Sequence, residues 1–409
     1  MPKWIILAIG VLVATAGRVS GQDEVPPPTS SAPRPSDNAM ASADSLMSND
    51  GAFVPANQDY WITADYLFGW IQGDDLPRLV TTSPSTVTDP TKAGVLGQST
   101  TSVLLNGRVN QDVRSGLRLG FGYVFDQDYG QAVEAGFTYL PSQSSDFFFS
   151  SADHSILARP FNDARTSPPT PAAVLVAFPG QSTGSINVNS KSGAFYEAHL
   201  DLSEKVWEDN GVRLDALLGY RFASFSDGLR MGQHIVSSTL PGTVINSSDD
   251  FQAQNVFNGL DMGARTTFTW DRLSLNLLGK VAVGNLNRTM NINGNQVKTV
   301  TGAAPVTESG GVYALSSNSG RHNDGSANLL PEAGANLSWQ LRSNLCLRLG
   351  YSVLVLNQVA RAADQIDFTI NPDLFPPAKP GATPRRPTYH ESHSDVWIQT
   401  LNLGAEWKF

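Results

Sequence analysis

Apolar and polar side chains alternate along the closing stretch of the chain, from Ser394 to Phe409. A period of two is the period of a β-strand, because successive side chains of a strand point to opposite faces. Only Gln399 interrupts the apolar face, which is made by Trp397, Leu401, Leu403, Ala405, Trp407 and Phe409. An alternating strand that ends the chain on an aromatic residue is typical of the strand that closes an outer-membrane barrel.

The same alternation recurs from Tyr60 onward, and together with the closing strand it predicts ten strands. The other nine lie in YWITADYLFGWI, RSGLRLGFGYVF, YGQAVEAGFTYL, AFYEAHLDL, VRLDALLGYRF, VFNGLDMGARTTFTW, LSLNLLGKVAVG, LLPEAGANLSWQL and LCLRLGYSVLVL. Short turns are expected near Asp128, Asp209, Asp271 and Ser343, and long loops at about 72–110, 141–185, 226–250, 288–325 and 357–393. An even number of strands with short turns at one end and long loops at the other indicates an outer-membrane barrel. Structureless loops of this length also argue against a compact soluble domain.

The apolar faces are expected to face lipid. No apolar run in the chain reaches the about 20 residues of a transmembrane helix, and only helices and closed barrels satisfy their backbone in lipid. Aromatic residues near strand ends suggest two interfacial belts: Tyr60, Trp70, Phe125, Tyr129, Tyr139, Trp270, Trp339, Trp397, Trp407 and Phe409. We therefore predict an all-β fold, an antiparallel transmembrane β-barrel of about ten strands, with short periplasmic turns and long extracellular loops. Twelve strands are the alternative count, and a soluble β-sandwich is the competing fold.

The N-terminal residues have the pattern of a targeting segment followed by a linker. Lys3, the apolar run Trp4 to Gly17 and the small residues around Val19 to Gly21 predict a signal peptide over residues 1–21. Residues 22–59 are rich in Pro, Ser and acidic residues, so we predict a disordered periplasmic linker there. The barrel then occupies residues 60–409, and the expected location is the bacterial cell outer membrane.

The composition limits the kinds of partner and cofactor that the protein is expected to bind. Only 16% of the residues are charged, against about 25% in globular chains, and a net charge of −9 suggests no nucleic-acid partner. Cys346 is the single cysteine, so an internal disulfide and a CxxC metal site are both excluded. No cofactor or metal is expected. The expected partners are outer-membrane lipid and the barrel-assembly machinery, the latter through the C-terminal strand.

Several stretches, in order, resemble the putative beta-barrel porin-7 family of bacterial outer-membrane proteins. They are WITADYLFGW with LPRLVTTSP, GVLGQSTTSVLLNG, RSGLRLGFGYVFD, SILARPF, DDFQAQNVFNGLDMG, LLPEAGANLSWQL, NQVARAADQID and HSDVWIQTLNLGAEWKF. The resemblance covers about Tyr60 to Phe409, and it departs from the family pattern at Ala362 and Ala363, where the family tends to have Pro-Gly. It implies a porin-like barrel and supplies no catalytic residue.

Charged residues on the polar faces are expected to line the lumen. They are Arg114, Arg118, Glu134, Glu197, His199, Asp201, Arg213, Asp215, Arg221, Asp261, Arg265, Lys280, Glu332 and Arg348, with Glu406 and Lys408 in the last strand. Their signs nearly balance, and a barrel of about ten strands has a narrow interior. The functional expectation is a narrow, weakly selective channel for small hydrophilic solutes. The alternative is a lumen closed by its own salt bridges, in a structural or surface-interaction barrel that acts through its long loops.

A barrel hydrolase is the third hypothesis, and the positions of the histidines bear on it. His154, His234, His322, His390 and His393 fall in expected long loops, while His199 lies between Glu197 and Asp201 on the polar face. HESH at His390 to His393 offers two metal ligands but is not the HExxH motif. Since no nucleophile stands in a recognisable motif, we expect that the protein is not an enzyme.

Overall fold

The structure, a computed structural model, describes residues 59–409. The predicted signal peptide and the predicted linker up to residue 58 lie outside these residues, and residues 59–409 contain no helix that is long and apolar enough to cross a membrane. The strands are β1 (Tyr60–Ile71), β2 (Asp74–Ser83), β3 (Ser102–Val109), β4 (Arg114–Asp126), β5 (Gln131–Leu140), β6 (Gln143–Ser150), β7 (Ile156–Asp163), β8 (Thr170–Ala177), β9 (Ser182–Asp209), β10 (Val212–Ser237), β11 (Thr243–Trp270), β12 (Leu273–Val300), β13 (Val306–Ser309), β14 (Gly320–Arg342), β15 (Leu345–Ala360), β16 (Thr369–Ile370) and β17 (His393–Lys408). Two short 3-10 helices, Ala363–Gln365 and Pro372–Leu374, flank β16.

Ten of these strands close into an antiparallel ring. Its order is β1, β4, β5, β9, β10, β11, β12, β14, β15 and β17, and β17 pairs with β1 again. The closing ladder places Ile62 opposite Trp407, so the aromatic C-terminal strand completes the sheet. Closure into a ring gives each of the ten strands a neighbour on both sides, as a lipid environment requires. The prediction of an antiparallel barrel with ten strands is thereby confirmed.

The outer surface of the ring is an apolar band. Side chains at every second position point outward and remain exposed, as Tyr66, Leu218 and Leu403 do at 46%, 51% and 57%. Their inward-pointing neighbours, such as Asp65 and Arg221, are buried. The alternation read from the sequence therefore sorts the side chains into a lipid face and an interior face, with the apolar residues outside.

The expectation of structureless loops at the other end is wrong. Strands β9, β11 and β12 each have 28 residues, well above the about 9–11 that a tilted strand needs to cross a membrane. Beyond the apolar band these strands continue as a wall whose inward positions are apolar, for example Leu229 and Met231 of β10. Along one strand the apolar side chains thus change from the outer face to the inner face of the ring. A sequence pattern with one constant apolar face therefore identifies only the part of each strand that crosses the membrane.

The remaining long segments fold onto the inner side of this wall. Strands β16, β7, β2 and β3 form a second sheet in that order, and β8 pairs with β7. We call this sheet, together with residues 310–319 and 361–375, the cap. Its apolar side chains, including Leu79, Phe161 and Tyr313, form one buried cluster with inward residues of β9 to β12. The cap therefore occupies the loop end of the barrel as a packed core.

Candidate functional site

A charged layer crosses the middle of the barrel, centred on Arg221 of β10. The Arg221 side chain has no exposed surface, and its Nη2 lies 2.6 Å from Glu332 Oε2 and 2.9 Å from Asp261 Oδ2. Its Nε is also 3.6 Å from Glu197 Oε1. Glu332 stands on β14, three strands away from β10 in the ring. The Arg221–Glu332 ion pair therefore runs through the interior and not along the wall.

Two further cations in this half of the barrel make the same kind of crossing. Lys280 of β12 places its Nζ 2.5 Å from Asp201 Oδ2 and 2.6 Å from Asp261 Oδ2. Arg265 of β11 donates two hydrogen bonds of 2.5 and 2.8 Å to the carboxylate of Glu134. Asp201 lies on β9 and Glu134 on β5, so each contact again joins strands three positions apart. Bidentate and charge-assisted hydrogen bonds of this kind are among the strongest in proteins.

The other half of the barrel is crossed from β4. Arg118 donates to Ser352 Oγ of β15 at 2.9 Å and to Thr400 Oγ1 of β17 at 3.1 Å. Arg348 lies 3.9 Å from both Asp65 and Glu406. Room for these side chains comes from inward-facing glycines: a Cβ at Gly404 would stand 2.2 Å from Asp65 Oδ1.

Twelve of the residues expected in the lumen lie in this charged layer: Arg118, Glu134, Glu197, His199, Asp201, Asp215, Arg221, Asp261, Arg265, Lys280, Glu332 and Arg348. Arg213 and Arg114 lie elsewhere. Arg213 stands at the short-turn rim, where its Nε donates to Asp215 at 2.7 Å. Arg114 lies buried at the loop end and donates to the backbone oxygens of Pro141 and Gly193. His199 has its Nδ1 2.8 Å from Glu197, so it joins the charged layer through a carboxylate.

The aromatic residues expected at the membrane interfaces lie at both rims. Tyr60, Tyr129, Tyr139, Trp270, Trp339, Trp407 and Phe409 are exposed, while Trp70 and Trp397 are half-buried. Tyr129 lies in the turn between β4 and β5 and not within a strand. Trp70 pairs across the ladder with Gln399, close to Trp397, at the loop end.

An apolar layer lies between the charged layer and the cap. Its side chains point inward and are buried: Leu67, Ile71, Leu140, Phe195, Ala223, Phe225, Phe257, Ala282, Leu286, Leu330, Leu354, Leu356, Val359, Val396 and Ile398. Sequence reasoning missed it, because it assigned a polar lumen to the whole length of each strand. A signal exists in stretches such as SVLVL at Ser352 to Leu356, where both faces of the strand turn apolar.

Arg361 fastens the cap to the barrel above the apolar layer. Its Nε donates to Asp227 Oδ2 of β10 at 2.5 Å, and its Nη2 pairs with Asp74 of β2. Its Nη1 donates to the backbone oxygens of Gln72 and Gly73, at 3.2 and 3.3 Å. All three charged side chains are almost completely buried. Arg361 therefore contacts β2 of the cap and β10 of the barrel at the same time and links the two.

Asp249 of β11 makes a second attachment. Its Oδ1 accepts the backbone N–H groups of Val312, Tyr313 and Ala314, at 2.9, 2.9 and 2.7 Å. Its Oδ2 lies 2.7 Å from Arg159 Nη2 of β7. Burial raises the pKa of Tyr313 to about 12, and its hydroxyl donates to the Pro160 oxygen at 3.0 Å. One inward carboxylate therefore binds the wall, the second sheet and the 310–319 segment together. The sequence analysis passed over both Asp249 and Arg361.

The HESH segment meets β14 at the loop end. Asp324, Glu391 and His393 place one ligand atom each within 4.8 Å of one another, and Glu391 and His393 are exposed. His390 is not part of this group, so the two histidines of the motif do not act as a pair. Arg288 pairs with Asp324 and brings a positive charge next to it, and this charge disfavours a cation there. Within residues 59–409 no histidine shares a hydrogen bond with a Ser, Thr or Cys side chain.

A closed antiparallel ring with an apolar outer band and a charged interior defines the class of outer-membrane β-barrels. Comparison with protein families agrees with this class: the family described as Putative beta barrel porin-7 matches residues 61–409, and the chain belongs to that family. A search of curated proteins gave no match.

Several solved structures resemble this chain at low identity. The outer-membrane protease OmpT of Escherichia coli is 9% identical, covers 88% of this chain and 98% of its own, and has a TM-score of 0.39. The toluene transporter TodX of Pseudomonas putida is 8% identical over 88% of this chain and 92% of its own, with a TM-score of 0.20. A FadL homologue of Pseudomonas aeruginosa is 10% identical over 88% and 93%, with a TM-score of 0.21.

Proposed function

We propose that this protein is a closed, non-enzymatic outer-membrane barrel that holds a folded cap at the cell surface. The observation that carries this proposal is the crossing of the lumen by Arg221, Lys280 and Arg265, each paired with carboxylates three strands away. The apolar layer and the cap lie above this charged layer along the same axis. A solute travelling along the axis meets three consecutive obstructions.

The charged layer is costly to open. A buried ion pair that loses one partner leaves an uncompensated charge, which costs about 3–5 kcal/mol. Arg221 is shared among three carboxylates. Displacing it leaves Glu332 without its ion-pair partner, while Asp261 keeps Lys280 and Glu197 keeps His199. Small hydrophilic solutes offer no interaction of comparable strength. The cost of opening the charged layer therefore favours a barrel that acts through the outer face of the cap and not through its lumen.

A narrow channel for small hydrophilic solutes is the second candidate. The balanced signs of the charged layer and the name of the family favour it. This function requires a second conformation in which the cap has left the wall and the crossing pairs have moved to it. A closed barrel and a gated channel differ in the permeability of the folded wild-type protein to small solutes.

Liposome swelling tests the proposal. The purified protein is refolded into vesicles, its folding is checked by heat-modifiable migration, and uptake of a pentose is followed by light scattering. We expect no swelling above protein-free vesicles, whereas a general porin in parallel swells rapidly. Arg361→Met, which loosens the cap, is also expected to stay impermeable because the charged layer remains. Sugar uptake by the wild-type protein, graded with sugar size, would contradict the proposal in favour of the channel.

A further inference from the structure

The ring is interrupted between β14 and β15 at its loop end. The ladder between these strands stops at Glu332 opposite Leu354. Both strands continue past this rung, and each keeps its pairing on the other side: β14 with β12 up to Gly320, and β15 with β17 up to Ala360. We call the gap the β14–β15 seam. It begins at the level of the outer aromatic belt, since Trp397 pairs with Val355 of β15.

Pro331 explains why the backbone hydrogen-bond ladder stops on the β14 side of the seam. Asn357 Nδ2 of β15 donates to the backbone oxygen of Leu329 at 2.8 Å, so the backbone groups of Leu329 point toward β15. In a strand every second residue points its backbone groups to the same side, so those of residue 331 also face β15. Pro331 has no N–H to offer there. The first rung above Glu332 therefore lacks its donor.

Side chains, not backbone rungs, close the seam. Asn328 Nδ2 donates to the Asn357 oxygen at 2.8 Å, and the Leu329 N–H donates to the side chain of Asn328 at 2.7 Å. On β15, Gln358 has a left-handed φ of 52°. Its N–H donates to Asp395 at 3.0 Å and its oxygen accepts from Arg288 at 2.5 Å. Near Pro331 the two edges are therefore joined by two side-chain bonds, from Asn328 to the Asn357 oxygen and from Asn357 to the Leu329 oxygen. Farther out, Arg288 bridges the strands by bonding Ser326 of β14 and the Gln358 oxygen of β15. The strands can separate next to Pro331 at the cost of the two asparagine bonds.

The seam leads directly to the apolar layer. Leu330, Leu354 and Leu356 belong to that layer and flank the seam on the inside. On the outside Leu329 is 49% exposed and faces the membrane band. Apolar side chains therefore line the path from the outer leaflet inward, while the charged layer and the cap obstruct the axial path from either end.

We propose that the β14–β15 seam is a lateral portal through which one unbranched acyl chain enters the apolar layer from the outer leaflet. A straight hydrocarbon chain suits this position, because leucines flank the seam inside and outside the ring and the seam begins at the level of the outer aromatic belt. The chain belongs to either a membrane lipid or a free fatty acid. The proposal does not depend on whether the barrel conducts solutes along its axis.

Cysteine labelling from within the bilayer tests the portal. Ala282 lies fully buried in the apolar layer and pairs with Leu330, so Ala282→Cys in a Cys346→Ser background reports entry. The probes are a fatty acid with a maleimide at its methyl end, the same chain esterified in phosphatidylcholine, and a small water-soluble maleimide. We expect labelling by a chain-borne maleimide and little by the water-soluble one. Labelling by the free acid alone or also by the phospholipid distinguishes the two sources.

Opening the seam should accelerate this labelling. Asn328→Ala with Asn357→Ala removes the two asparagine bonds next to Pro331 and leaves the Arg288 bridge, so we expect at least a tenfold faster rate. Asn258→Ala is the matched control, because it removes a bond from Tyr220 at 2.8 Å where the β10–β11 ladder is continuous. Its rate should equal that of the parent. Heat-modifiable migration verifies that each variant is folded. An unchanged rate in the double Asn variant, an equal gain in the Asn258→Ala control, or faster labelling by the water-soluble probe would overturn the portal.

Discussion

Single residues decide whether the interior is open or filled. Arg221 is the side chain on which most of the charged layer depends, because it contacts Glu197, Asp261 and Glu332 while fully buried. Its position on the polar face follows from the sequence, since Arg221 alternates with Tyr220 and Phe222. Its partners do not follow, because a pattern of period two fixes the face of a residue and not the strand that faces it across the lumen.

Replacing Arg221 by alanine should destabilise the barrel strongly. The variant leaves buried Glu332 without its ion-pair partner and takes one cation away from Glu197 and Asp261. We therefore expect the free energy of unfolding to fall by about 3–5 kcal/mol. Urea unfolding in lipid vesicles, followed by tryptophan fluorescence, measures it. Arg272→Ala, at the exposed turn between β11 and β12, is the control and should change stability by less than about 0.5 kcal/mol. Equal stabilities for both variants would show that the layer contributes little.

At the scale of elements, the sequence predicted the ring and missed the cap. Ten strands were recognisable because lipid outside and charge inside impose one constant alternation over each membrane crossing. The extensions of β9 to β12 have the opposite orientation of polar and apolar faces, with polar residues outside and apolar residues such as Ile186 and Phe251 inside. The cap strands are shorter, and their positions depend on a few long-range contacts of Arg361, Arg159 and Asp249, which no local pattern encodes.

Asp249 gives a test of how the cap is held. Asp249→Ala removes three backbone hydrogen bonds and the ion pair to Arg159, so the 310–319 segment should loosen. We expect trypsin cleavage after Arg321, which follows this segment, to be at least tenfold faster on the folded protein. Asp250→Ala is the matched control: Asp250 is the next residue, and among residues 59–409 its side chain hydrogen-bonds only that of Gln252. If both variants resist trypsin like the wild type, Asp249 does not hold the segment.

At the scale of the whole molecule, the two ends of the barrel differ. One end has turns of a few residues, such as the one between Trp270 and Leu273, and the other carries the cap. The outer-membrane class puts short turns in the periplasm and long connections outside. The sequence predicted this polarity from the alternation of connection lengths alone, and the structure adds that the outer end is a folded body.

Amine labelling of intact cells tests this orientation. Lys92 and Lys379 lie in the long connections and have side chains that are 63% and 70% exposed, so a membrane-impermeant reagent should modify both. Lys408, at the short-turn end and 40% exposed, should react only after the outer membrane is permeabilised. Modification of Lys408 on intact cells, with Lys92 and Lys379 protected, would reverse the topology.

Single-channel recording determines whether the folded barrel is closed along its axis. Purified wild-type protein is inserted into a planar bilayer at high salt and held at voltages of both signs, with heat-modifiable migration as proof of folding. We expect a silent membrane, because the charged layer, the apolar layer and the cap obstruct the same path. Regular current steps of constant size, reduced by Arg118→Ala or Arg221→Ala, would contradict it and establish a conducting pore.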